Sequence, residues 1–207
     1  MSRRLYSIPV AIRILIVFSI FLSGLCEFAG IGVAEPVHIG VGEGTAVDLD
    51  GAVVDPLKMS AGKVVVLIFV RVDCPISNRY APTIQKISRA NAGRVAFWLV
   101  YPDRSESAEQ IRKHEKEFGY DLPALRDVKR SLVSESRAQT TPEAAVFDAN
   151  RKLVYHGRID NLFEDFGRAR PAATTHELED AIRAAMDGKE VANAAVPGVG
   201  CYISDLK

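Results

Sequence analysis

The sequence predicts an α/β fold in which a central mixed β-sheet is flanked by helices. Three observations lead there. Two long runs, Lys63–Val72 (KVVVLIFVRV) and Arg94–Tyr101 (RVAFWLVY), are rich in β-branched residues and read as strands buried on both faces. Segments with helical spacing follow each run. A hairpin, Ala144–Phe147 with Leu153–His156 around Asp148–Arg151, then precedes a closing helix, which completes a two-layer alternation. The bulk numbers agree: 207 residues, 48% hydrophobic and 25% charged, suit one ordinary domain with an appendage. Lys+Arg 26 against Asp+Glu 26 leaves no net charge, which argues against a nucleic-acid partner needing a basic face. Three cysteines are too few for a disulfide-dense scaffold or a zinc ribbon.

Residues 1–34 read as a secretory signal peptide. Arg3, Arg4 and Arg13 precede the uncharged stretch Ile14–Leu25, and Gly32-Val33-Ala34 supplies small residues for cleavage before Glu35. The apolar stretch is short for a membrane helix, and Glu27 interrupts its extension. A retained N-terminal anchor is the competing reading, and the only one that would involve a membrane. A lipid attachment at Cys26 is disfavoured because Leu25, not a small residue, precedes it. Cleavage would leave two cysteines, Cys74 and Cys201, in a periplasmic or extracellular setting where thiols can oxidise.

The folded domain is expected over 35–188. Val47–Leu49 and Ala52–Val54 flank Asp50-Gly51, a tight hairpin signal. After the Lys63–Val72 strand and Cys74-Pro75 comes a helix with Tyr80, Ile84 and Ile87 on one face, and Pro82 is expected to kink it. Following the second long strand, Ser107 and Gln110 form a capping box, with Ile111 and Phe118 inward. The closing helix is expected to open at Thr174 with Glu177 as its box partner, bury Leu178, Ala181 and Ile182, and stop at Gly188. Residues 189–207 are small and Pro/Gly-rich and read as a C-terminal tail carrying Cys201.

The strand–Cys74-Pro75-Ile76-Ser77–helix junction resembles the active-site segment of the thioredoxin superfamily. There a strand runs into Cys-x-x-Cys at a helix start, with a proline five residues after the second cysteine. In this chain Ser77 stands at the second cysteine position and Pro82 falls at the expected distance. Thr141-Pro142, followed by the hairpin, looks like that superfamily's cis-proline loop. The resemblance spans roughly residues 37–186 and is closest to the redoxin branch called peroxiredoxin-like, with a single active-site cysteine. It implies a thioredoxin-like fold and a thiol–disulfide oxidoreductase. Cys74 would be the nucleophile, Ser77 would support its thiolate, and Pro75, Thr141 and Pro142 would shape a substrate groove. No organic cofactor and no metal is implied; the partner would be a thiol- or disulfide-bearing protein or a small thiol.

Physical chemistry supports a reactive cysteine at position 74. Unpaired N–H groups and the helix dipole favour thiolate at the first turn, and lowering a thiol pKa from about 8.5 toward 7 raises the anion to about half at neutral pH. Arg71 and Arg79 would add positive charge, while Asp73 would oppose it. The alternative is a buried, inert cysteine. The redox reading therefore requires the Cys74 sulfur at the leading end of its helix, beside Thr141 and open to solvent. With Ser77 in the second position, a mixed disulfide at Cys74 needs another thiol to resolve it. Cys201 is the candidate, since the dozen residues from Gly188 can span about 40 Å. A fixed clamp on the tail, or a free thiol without a role, would look the same in sequence.

Two other functions are open. A peroxidase could use a low-pKa cysteine, with Arg126 and Arg158 polarising the peroxide. The peroxiredoxin signature, however, would need a hydroxyl at Arg71 and a proline at Leu67. A copper chaperone of the Sco type would need a cysteine at Asn78, leaving Cys74, Cys201 and His114 or His156 as a substitute set. His114 at the edge of an apolar helix face more often signals a satisfied core histidine. His38 and His176 have no ligand spacing. Arg158 and Asp160 could pair near the active face, and Asn161–Arg170 could cover a sheet edge or contact a partner.

Overall fold

The computed structural model describes residues 44–206. The signal-peptide reading, Cys26 and His38 lie outside them. Among the described residues, no helix is long and apolar enough to cross a membrane.

The chain runs β1 (Ala46–Asp48), β2 (Val53–Val54), α1 (Pro56–Met59), β3 (Val64–Phe69), α2 (Pro75–Ala90), β4 (Val95–Tyr101) and α3 (Ala108–Phe118). It continues through β5 (Ala124–Arg126), α4 (Ser131–Ser136), β6 (Thr140–Thr141), β7 (Glu143–Phe147) and β8 (Leu153–Gly157). Then come β9 (Phe163–Asp165), β10 (Arg168–Ala169), α5 (Glu177–Met186), β11 (Ala195–Val196), β12 (Cys201–Tyr202) and a 3-10 turn, Ile203–Asp205. Eight strands form one sheet in the order β11-β8-β7-β3-β4-β5-β1-β2. β3, β4 and β5 are parallel, while β7 runs antiparallel to both β3 and β8.

The continuous apolar character of β3 has the cause expected from sequence. Val64, Val66 and Ile68 face a core that holds Tyr80, Ile84 and Ile87 of α2, Ile111 of α3 and Leu178 and Ile182 of α5. The alternate residues Val65, Leu67 and Phe69 face a second core with Leu57, Leu132 and Ile203. Period-2 alternation sends successive side chains to opposite layers, and both layers are apolar.

Several local expectations hold. The first hairpin pairs Ala46 with Val54 and Val47 with Val53. Asp48 Oδ1 accepts the N–H groups of Asp50 and Ala52 across its turn. The capping box at α3 is present, with Ser107 and Gln110 each bonded to the other's backbone. The helix expected after Cys74-Pro75 forms as α2, which continues without a break through Pro82 to Ala90.

Others differ. α5 begins at Glu177 rather than Thr174, because both box partners are engaged elsewhere. Thr174 Oγ1 accepts from Asn161 Nδ2 at 2.7 Å, and the Glu177 carboxylate takes Thr175 Oγ1 and the Arg158 guanidinium. Asn161–Arg170 contains a hairpin of its own, β9 with β10. The segment after Gly188, read as a tail, folds back onto the domain. β11 joins the sheet edge parallel to β8, and β12 pairs antiparallel with β6, Cys201 opposite Thr141. Strands of two residues have no detectable period, and Gly and Pro mask them further.

Candidate functional site

Cys74 is the N-cap residue of α2, at the end of the loop leaving β3. β3 carries the chain to this point because it is held between β4 and β7, and Pro75 at the first helical position starts the turn. The Thr141–Pro142 bond is cis. Cys74 Sγ lies 3.1 Å from Thr141 O and 3.0 Å from Cys201 Sγ, and both cysteines are free thiols. The structure thus brings together Cys74, Ser77, Thr141, Pro142 and Cys201, with Pro75 exposed beside them.

Two of the three conditions set by the redox reading are met: the sulfur sits at the helix start and beside Thr141. The third is not, because Cys74 has 0% exposure. The C-terminal segment is part of its surroundings: β12 lies across β6 and places Cys201 directly against Cys74.

Burial by itself raises the Cys74 pKa. The Ser77 hydroxyl, the Cys201 thiol and the Ser77 backbone N–H, all placed to donate to the ionised sulfur, act against it, and the net direction is downward. The Ser77 Oγ is buried without a regular hydrogen-bond partner, so its hydroxyl is free to turn toward the sulfur. Cys201 moves the other way, raised by burial and by the negative charge that Cys74 carries when ionised. Thr141 O accepts from the Cys74 thiol, a contact that favours the protonated form. The pair is asymmetric: Cys74 is the better leaving group and the first to ionise. Arg71 contributes little net charge, since it pairs with Asp73 at 2.8 Å, and Arg79 is exposed.

Val72, two residues before Cys74, is held from both sides. Its carbonyl accepts from Asn78 Nδ2 at 3.1 Å, and its N–H donates to Glu106 Oε1 at 2.7 Å. Because Asn78 turns its amide nitrogen to Val72, its Oδ1 must accept from His114 Nε2 at 2.8 Å, which leaves His114 Nδ1 to accept from the Tyr101 hydroxyl at 2.9 Å. His114 is thus a satisfied core histidine, and burial holds its pKa below the usual value. Asn78 and Glu106 escape sequence reasoning. Asn78 stands out there only as a missing metal ligand, and Glu106 lies in a polar stretch that looks like surface.

Glu106 is 6% exposed, and its Oε2 has no partner. Burial raises its pKa to about 7, against the Val72 N–H, which lowers it; Asp103 adds to the rise. A carboxyl whose folded pKa is raised favours folding while protonated, and that contribution is lost as pH climbs from the ordinary carboxylate range through about 7. Glu106→Gln keeps an oxygen for Val72 and removes the charge. The variant is therefore expected to gain about 3 kcal/mol over the parent at pH 8 and little at pH 4. Denaturant titrations at the two pH values check this; an unchanged difference would refute it.

The residues named for other functions are otherwise engaged. Arg126 Nε donates to the Glu106 backbone carbonyl, and Arg158 pairs with Glu177 rather than Asp160. Asp160 Oδ1 instead accepts from the Tyr80 hydroxyl at 2.6 Å. His156 lies 3.5 Å from Glu143 Oε1. Among the described residues, no group of three His, Cys, Asp or Glu could hold a metal ion.

The strand order, the cysteine at the head of α2 and the cis-proline opposite it together define a thioredoxin-like fold. Solved structures agree. A hypothetical protein from Sinorhizobium meliloti 1021 matches with a TM-score of 0.64 and 25% identity, covering 79% of this chain and 91% of that one. An uncharacterized conserved protein from Geobacillus kaustophilus matches at 0.64 and 23%, covering 77% and 86%. A secreted disulfide oxidoreductase of Mycobacterium tuberculosis, homologous to Escherichia coli DsbE, matches at 0.51 and 20%, covering 69% and 96%. No protein-family model matches the chain, and no curated protein sequence does.

Proposed function

We propose that this chain is an exported thiol–disulfide oxidoreductase whose redox pair is Cys74 and Cys201. One observation carries the reading: two free thiols, 127 residues apart in sequence, stand with their sulfurs 3.0 Å apart. In the reducing direction, the Cys74 thiolate attacks a substrate disulfide. A bond forms from Cys74 to one substrate sulfur, and the other leaves as a thiolate and takes a proton. Cys201, deprotonated, then attacks Cys74 Sγ; the second substrate thiol departs and a Cys74–Cys201 disulfide remains. Two electrons pass to the substrate, and the reverse sequence oxidises a dithiol. A thiol- or disulfide-bearing protein or a small thiol is the partner in either direction. The basic and apolar residues within 1–34 support export, the setting in which such a pair cycles.

Mass spectrometry under non-reducing conditions tests this. Mild oxidation is expected to join the Cys74 and Cys201 peptides with loss of two mass units. Cys201→Ser should instead accumulate Cys74 as a mixed disulfide with added small thiol. Two freely alkylated cysteines after oxidation would overturn the reading.

A further inference from the structure

The mechanism above uses Cys201 as a sulfur, but the segment around it does more than carry a thiol. β12 is an extended strand hydrogen-bonded antiparallel to Thr140–Thr141, with Cys201 opposite Thr141 and Tyr202 opposite Thr140. That is how a foreign strand would dock on the free edge of β6 and present a cysteine to Cys74. The segment is anchored on both sides of the contact. Upstream, Ala195 and Val196 pair with His156 and Gly157, and Arg158 N–H donates to Val196 O at 3.0 Å. Downstream, Ile203 is 3% exposed in the second core and donates its N–H to Gln139 O, while Arg130 Nη2 donates to Leu206 O at 2.6 Å. At the centre the approach is too close for a side chain. A Cβ on Gly200 would lie 2.1 Å from Thr141 O, and one on Gly157 would lie 2.1 Å from Val196 O. The middle of the segment is held more lightly, with Tyr202 59% exposed and Thr141 Oγ1 donating to Cys201 O at 3.4 Å.

We propose that residues 195–206 occupy, in cis, the groove that an external cysteine-bearing strand uses, keep Cys74 covered until displaced, and display the substrate class the groove accepts: an extended strand with glycine directly before its cysteine. This rests on the thiol–disulfide reading above and deepens it. The glycine requirement follows from the Thr141 carbonyl, which any larger residue ahead of the cysteine would strike. The covering explains why a nucleophile at a helix start has no exposed surface. The bond between Cys74 and Cys201, when formed, fixes the closed state; reduction leaves β12 held by backbone hydrogen bonds, each worth about 1 kcal/mol, which a competing strand can replace.

The test begins in a Cys201→Ser background, so that Cys74 is the single thiol among residues 44–206. Adding Gly200→Val should raise the rate at which iodoacetamide labels Cys74 by at least about ten-fold. Ile203→Asp, which loosens the segment from its far anchor without touching the groove, should do the same. The near-ultraviolet signal of Trp98, the sole tryptophan, reports that both variants remain folded. The opened protein is then offered a synthetic peptide of residues 198–206 whose cysteine is joined to thionitrobenzoate. Cys74 attacks the peptide sulfur, the Cys74–peptide bond forms, and the coloured thionitrobenzoate leaves with the electron pair of the broken bond. A peptide with valine at the position of Gly200 should react at least about ten-fold more slowly. Equal labelling of the closed and opened proteins would overturn the covering, and equal rates for the two peptides would overturn the glycine rule. Either failure is distinct from failure of the redox reading, since wild-type protein would still form the Cys74–Cys201 disulfide on oxidation.

Discussion

Cys74→Ser is expected to lower thiol–disulfide exchange by at least about 10³-fold while leaving the fold in place. Serine has nearly the volume of cysteine, so the N-cap position and the packing around it survive. What disappears is the anion: a hydroxyl at neutral pH is protonated and is a poor nucleophile toward sulfur. The companion variant Cys201→Ser should behave differently. Its Cys74 still attacks, so one equivalent of substrate disulfide is consumed in a burst and turnover then stops at the mixed disulfide. Pre-reduced variants mixed with excess model protein disulfide, with no small thiol added, separate the two profiles. Equal residual rates in both variants would remove Cys74 from its nucleophilic role. The asymmetry arises because Ser77 and Cys201 outweigh burial and lower the Cys74 pKa, whereas burial and the neighbouring Cys74 sulfur raise that of Cys201.

Phe69→Ala should cost about 3–5 kcal/mol, a large share of the 5–15 kcal/mol by which an ordinary domain is stable. Phe69 is fully buried at the end of β3, paired with Val100 on one side and Glu143 on the other. Its ring is part of the second core, which also receives Leu57, Leu132 and Ile203. Truncation removes apolar contact and leaves a cavity that surrounding strands cannot close, because neighbours on both sides hold β3 in register. A guanidinium titration should show a lower midpoint with an unchanged slope. Met59→Ala, at an exposed position, should stay within about 0.5 kcal/mol and serves as the control. A loss at Phe69 no larger than that at Met59 would contradict the burial described here.

Much of the fold was legible in the amino-acid order because its signals are local and strong. The run that becomes β3 is apolar at every position for the reason inferred, two buried faces, while β4 leaves Ala96 and Trp98 half-buried on one face. The Ser107–Gln110 box marks the start of α3 to the residue. The Cys74-Pro75 junction places a thiol at the head of a helix whatever surrounds it. α5 shows where local signals mislead. Thr174 and Glu177 have capping-box spacing, but Asn161 and Arg158, distant in sequence, claim their side chains first.

The candidate site divides along the same line. That Cys74, Ser77, Thr141 and Pro142 are candidate site residues can be read from short motifs, because each motif is contiguous. That Cys201 lies against Cys74, that Cys74 is covered, and that Glu106 and Asn78 grip Val72 follow from contacts spanning between 6 and 127 residues. Their partners are brought together by the sheet order and by close approaches at Gly157 and Gly200. Glycine looks the same in a sequence whether it frees a loop or makes room for another strand, and a two-residue strand has no period to read. Only when the backbone is closed into three dimensions do those positions acquire neighbours, and with them a role.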